Sequence, residues 1–253
     1  CEVYVGDGVE YLKKLKKIDW IFVDPSRRKQ SQRVFRLEDC EPNVIDLIGL
    51  FFDKAKRVLI KTAPLLDIRQ TLSDLEAVKE VHVIAVNNDC KEVLYLLEKD
   101  FIGEALIFCV NLKKEHKEEF RFTLSQEREV LNLYSEPLEY IYEANAAIMK
   151  AGAFKSITSK YELYKLHKNS HLYTSQKLIS EFPGRRFNVK EVLNPDKKSL
   201  TKLPKKANLA CRNYPHKVDV LKKKFKINDG GNDYIFATTL KGEQLKLIVC
   251  EKV

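Results

Sequence analysis

Apolar and polar positions along residues 1–112 alternate between two periods. Short apolar runs, "CEVYV", "DWIFV", "RVLIKTA", "EVHVIAVN" and "EALIFCVNL", are separated by stretches with helical spacing. In "GVEYLKKLKK", Val9, Leu12 and Leu15 fall near one helix face, and "PNVIDLIGLFFDKA" reads as a helix with Pro42 in its first turn. "DIRQTLSDL" is a further helix, and "CKEVLYLLE" fits either a short helix or a strand. "DWIFV" is a continuous apolar run, the pattern of a strand buried on both faces. The rhythm predicts a parallel α/β sheet with right-handed crossovers.

The pattern changes near Lys113. "KKEHKEEF" reads as a charged connector, "RFTLS" as a possible strand, and "EPLEYIYEANAAIMK" (136–150) as one helix ended by Gly152. "RRFNVKEVLN" and "ANLACRNYP" are strands flanking a polar basic loop, "PDKKSLTKLPKK". A basic helix, "HKVDVLKKKFKI", follows, and the last residues contain two strands, each adjoining a glycine turn. The expected division is 1–112, 113–204 and 205–253, the last a small strand–helix–strand–strand unit.

Composition narrows this picture. With 253 residues, 44% of them hydrophobic, the chain is long enough for one large core or two ordinary ones. No apolar run approaches the roughly 20 residues of a membrane span, so no membrane is expected. The six cysteines form no C-x-x-C pair and have no metal-like spacing to the five histidines, so a reduced cytoplasmic protein without a metal is expected. The formal charge of +9 is unevenly spread: residues 185–226 carry 14 Lys+Arg against 3 Asp+Glu, while residues 1–112 carry 17 against 19. A segment of net +11 is an electrostatic footprint for a polyanion, although charge runs also serve as solvated faces.

Candidate chemistry gathers after "DWIFV". Ligands of open α/β sheets sit beyond the carboxyl ends of strands, where Asp24 and Asp7 both fall. After Asp24, Pro25 and Ser26 come Arg27, Arg28, Lys29, Arg33 and Arg36, with no acid among them, which suits an anionic substrate. Gly6-x-Gly8 after a strand lacks a third glycine and is not read as a phosphate loop. Cys40 reads as a small residue in a helix-entry turn rather than a nucleophile. Lys61 and Asp67 lie past a strand end and either contact substrate or pair with each other. His167 and His171 have the spacing of one helix face and read as a polar contact rather than a zinc pair. Tyr161, Tyr164 and Tyr173 read as a half-buried face rather than a base-stacking surface.

"VYVGDGVEYLKKLKKIDWIFVDPSRR" resembles the second part of a class I S-adenosylmethionine-dependent methyltransferase domain, a Rossmann-like sheet. The resemblance implies that Asp7, with Gly6, contacts the adenine of S-adenosyl-L-methionine, and that Asp24, Pro25 and Ser26 line the methyl-transfer site. "RVFRLEDCEPNV", "IKTAPLLDI", "YEANAAIMKAGAF", "KLHKNSHLYTS" and "GGNDYIFATTL" further resemble a bacterial methyltransferase group with THUMP-like and ferredoxin-like domains, here expected at 113–204 and 205–253. Ser26 stands where base-methylating relatives usually carry proline, and no aromatic follows it. In that family the glycine-rich loop and the acidic residue for the ribose precede the strand at which this chain begins. The chain is therefore expected to be a fragment with "CEVYV" unpaired, weak or absent cofactor binding, and an incomplete sheet open to self-association. The implied function is methylation of RNA, tRNA first, with Lys61, Lys222, Lys223, Lys224 and the 27–36 cations on the substrate. An RNA-binding module without catalysis, and a small-molecule or protein methyltransferase, are the alternatives.

Overall fold

A computed structural model describes residues 2–26 and 36–253, together with the backbone of Arg28–Lys29 and Gln32–Arg33. The chain divides into two compact units, Cys1–Leu124 with Ala146–Ala151, and Ser125–Asn145 with Gly152–Val253.

Unit 1 begins with α1 (Gly8–Lys14), β1 (Ile18–Val23), the two-residue strands β2 (Arg28–Lys29) and β3 (Gln32–Arg33), and a 3-10 turn at Leu37–Asp39. It continues through α2 (Val44–Lys54), β4 (Ala55–Thr62), α3 (Ile68–Asp74), β5 (Val78–Val86), β6 (Asp89–Glu98), β7 (Leu106–Leu112) and β8 (Lys117–Phe122). The sheet order is β1-β4-β6-β5-β7-β8. β1 runs parallel to β4 and β5 parallel to β7, but β6 lies antiparallel between β4 and β5. The expected all-parallel sheet is thus mixed. Its cause is local: Asn87 and Asn88 both adopt left-handed backbone (φ 50 and 66), the geometry of a two-residue hairpin turn. "CKEVLYLLE" therefore returns as a strand, with Val93, Tyr95 and Leu97 fully buried. The charged connector is also a strand, because Phe120 and Phe122 alternate into the core while Lys117 and Arg121 face solvent.

β1 differs from its expected burial on both faces. It is an edge strand among the described residues, with Ile21 buried and Trp20 and Phe22 47% and 60% exposed. Residues 2–5 form no strand, and Val3, Tyr4 and Val5 are exposed.

Unit 2 holds α4 (Leu124–Glu129), which starts at the boundary, then β9 (Tyr140–Ala144), α6 (Ser156–Tyr161), β10 (Tyr164–Lys165) and β11 (Leu172–Ser175). β12 (Gly184–Leu193), α7 (Lys197–Leu200), β13 (Asn208–Arg212), α8 (Val218–Phe225), β14 (Asp233–Leu240) and β15 (Gln244–Lys252) complete it. One seven-stranded sheet, β10-β11-β9-β12-β15-β14-β13, contains all its strands. The expected separate unit at 205–253 is thus part of a larger sheet. Alternate residues of β14 and β15 face two cores: Ile235, Ala237, Leu247 and Val249 pack with Leu221 and Phe225 of α8, and Phe236, Leu240, Ile248 and Cys250 pack with Ile141 and Phe187. The helix expected over 136–150 splits instead. Tyr140–Ala144 enters the sheet as β9, and only Ala146–Ala151 (α5) is helical, packing on β5, β6 and β7 of unit 1. The aromatic, β-branched "YIYEA" is buried from Ile141 to Ala144, which favours strand over helix propensity.

Candidate active site and candidate nucleic-acid interface

The parallel β1–β4 register places Val23 beside Ile60, so the residues that follow meet at the carboxyl ends of both strands. There Asp24 Oδ2 lies 2.5 Å from Lys61 Nζ. That hydrogen bond raises the Lys61 pKa, against an opposing effect of burial. Ser26 N donates to Glu41 O (2.7 Å) and Glu41 N returns to Ser26 O (2.9 Å), which anchors the turn after Asp24-Pro25. Asp24, Pro25, Ser26 and Lys61 line an open cavity of about 420 Å³ together with Thr62, Ala63, Lys91 and Glu92. Lys91 and Glu92 were not singled out from sequence. They reach the site because β6 is antiparallel, so its first residues lie at the end where β1 and β4 finish. The Asn87-Asn88 turn was the available signal.

Chemically, Asp24 is an acceptor fixed by a lysine at the rim of a polar cavity, able to take a hydrogen bond or proton from a substrate N–H. Lys61 pairs with Asp24 and not with Asp67, whose carboxylate caps α3 by accepting from Gln70 N (2.9 Å). Asp7 is likewise a helix cap: its Oδ1 accepts from Val9 N (2.8 Å) and Glu10 N (3.0 Å). A Cβ on Gly6 or Gly8 would meet no atom within 4 Å, so nothing among the described residues encloses a ligand there. Gly6, Asp7, Asp24, Pro25 and Ser26 are the residues expected to hold S-adenosylmethionine. Without an enclosing wall these residues do not by themselves fit it. Cys40 is buried and its thiol donates to Arg36 O (3.5 Å), in keeping with a packing role. Arg36 is exposed and pairs with Glu38. Arg27 and the side chains of Arg28, Lys29 and Arg33 lie outside the described residues.

In unit 2 the basic segment is gathered by one core. Leu200 at the end of α7, Leu203 just after it, and Leu221 and Phe225 of α8 pack together, and Lys206 bridges to Asn228 just beyond α8. Lys205, Lys206, Lys223, Lys224 and Lys226 are exposed on this layer. Lys222 differs: its ammonium lies 2.6 Å from Asp229 and its side chain as a whole is mostly covered. His167 and His171 do not share a helix. They flank the turn between β10 and β11, where His167 meets Asn213 (2.9 Å) and His171 stacks on Phe154. Of the three tyrosines, Tyr173 is fully buried, Tyr161 packs edge-on against Phe182, and Tyr164 is 39% exposed. Among the described residues no group of three or more His, Cys, Asp or Glu is placed to hold a metal ion, and no helix is long and apolar enough to cross a membrane.

This architecture carries two domain families. Residues 140–183 match a ferredoxin-like domain and residues 184–252 a THUMP domain-like family, so the C-terminal part of the chain is a ferredoxin-like domain followed by a THUMP-like one. Both were expected, in the opposite order along the chain. The chain is also similar to a crystallised "putative methyltransferase" from Porphyromonas gingivalis W83, at 35% identity and a TM-score of 0.91 over 98% of its length. It spans 63% of that protein's chain. No curated protein matches it.

Proposed function

We propose that the protein is an S-adenosylmethionine-dependent methyltransferase acting on RNA, with tRNA the first substrate to test. The observation that carries this reading is the Asp24–Lys61 pair at the carboxyl ends of β1 and β4, in a chain 35% identical to a protein named as a methyltransferase. A base nitrogen entering the cavity beside Pro25 would donate its N–H to Asp24. Lys61 holds that carboxylate in place, and Lys91, paired with Asp89, lies at the same rim. The exposed lysines of the THUMP-like domain support a polyanionic substrate.

The test is transfer of a tritiated methyl group from S-adenosylmethionine to total RNA by the natural full-length protein. Label on RNA that Asp24→Ala abolishes is the expected result. Label found only on protein or small molecules would remove the RNA substrate. A second reading, RNA binding without catalysis, draws on the use of Asp7 as a helix cap and the open space at Gly6 and Gly8. RNA binding with no methyl transfer to any fraction would favour it.

A further inference from the structure

One buried carboxylate in unit 2 holds two arginines. Glu143 on β9 is 7% exposed. Its Oε2 accepts from Arg185 Nε (2.7 Å) and Nη2, and its Oε1 accepts from Arg212 Nε (2.6 Å) and Nη2. Arg185 on β12 is the register partner of Glu143. Arg212 ends β13, four strands away in the sheet order, so the sheet curls far enough for the two to meet. Further contacts fix each guanidinium: Arg185 lies 5.6 Å from the Phe187 ring centroid, and Arg212 Nη1 donates to Cys211 O (2.8 Å).

The arrangement exceeds what joining strands requires. Two guanidiniums against one carboxylate leave one positive charge uncompensated, and the arginine side chains remain 36% and 35% exposed. Each engages Glu143 through Nε and Nη2, which leaves N–H groups on its outer side. Arginine's planar fork matches a phosphate, and holding it in advance removes much of the rotamer entropy that binding would otherwise cost. Both arginines belong to the segment of net +11, so the field around them favours an anion.

We propose that Arg185 and Arg212, positioned by Glu143, form a phosphate-binding fork for the RNA backbone. The proposal rests on the RNA reading above and adds to it a defined contact.

Fluorescence anisotropy of the chain with labelled unfractionated tRNA, over a series of salt concentrations, tests it. R185K/R212K keeps both charges and loses the fork, so affinity should fall about tenfold with the salt slope nearly unchanged. E143Q frees the arginines while adding positive charge, and weaker binding despite that charge marks Glu143 as a positioning residue. Should a variant fail to fold, the arginine Nε–Hε resonances of the wild-type protein give the answer. Those of Arg185 and Arg212 should shift on tRNA addition. Undisturbed Nε signals with bound tRNA, or wild-type affinity in R185K/R212K, overturns the fork and leaves the RNA reading intact. Absence of salt-sensitive tRNA binding by the wild-type chain overturns both.

Discussion

Lys165 is the buried charge whose environment makes the most definite prediction. The residue is 1% exposed, its ammonium donates only to Lys168 O (3.2 Å) among the described contacts, and it lies 6.0 Å from the ring centroids of Phe154 and Tyr173. Burial lowers its pKa from 10.5 to about 8, the nearby Glu127 charge offsets part of that, and Lys155 adds to it. The unfolded chain keeps this proton up to about pH 10.5, whereas the folded chain releases it from about pH 8. Between those values the unfolded state binds more protons, so stability rises with pH. At about 1.4 kcal/mol per pKa unit, the difference between 10.5 and 8 corresponds to about 3 kcal/mol. Buried Cys250, pushed up to about 12, and buried Tyr173, likewise pushed up, act in the opposite direction, so the wild-type profile alone is not diagnostic. The comparison with Lys165→Met cancels them. Urea unfolding of unit 2, read from 19F-labelled Phe187 and Phe236, should show the variant more stable at neutral pH, with the margin shrinking by about 3 kcal/mol as pH rises from 8 to 10.5. A margin that stays flat across that range would refute the reasoning.

Glu127 accepts hydrogen bonds from Phe154 N, Lys155 N, Ser156 N and Ser156 Oγ at 2.7–3.0 Å while 3% exposed, so Glu127→Gln should cost about 2–3 kcal/mol in the same unfolding measurement. Gly184→Ala would place a Cβ 2.2 Å from Glu143 O, forcing β9 and β12 apart; a loss of about 1–3 kcal/mol and weaker tRNA binding are expected together. Lys222→Glu breaks the pair with Asp229, whereas Lys223 is exposed and not so paired. Thermal unfolding should therefore register the first substitution more than Lys223→Glu, and the salt slope of tRNA binding should fall in both. At the candidate active site, Lys61→Met should leave Asp24 without its ammonium partner and lower methyl transfer by the full-length protein more than it lowers RNA affinity, measured as rate against binding.

The elements that were legible in the sequence are those whose local preference and tertiary setting agree. β4, β5 and β7 were visible as apolar runs, and α2, α3 and α8 as helices, although α2 starts at Val44 behind its Asn43 cap and leaves Pro42 outside its first turn. Asp24 and Lys61 were both found because strand ends of α/β sheets are where ligands bind, but their pairing depends on the register between β1 and β4, which no local pattern carries. The misread stretches share one cause. "EPLEYIYEANAAIMK" contains a good helix and a good strand in succession, and the boundary at Asn145 is set by a sheet edge provided by residues 172–188. "CKEVLYLLE" has apolar residues compatible with either period, and the two-residue turn before it decides the matter by returning the chain antiparallel. That reversal has a functional consequence: a helix at 90–98 would have begun a crossover, whereas the hairpin delivers Lys91 and Glu92 to the cavity beside Asp24. The Glu143 fork lies further still from sequence logic. Its three residues are separated by 42 and 27 positions, and a helix over 136–150 would have given Glu143 no such partners. Only the curl of the seven-stranded sheet converts a run of basic residues into two arginines held at a fixed spacing, the difference between diffuse attraction and a site.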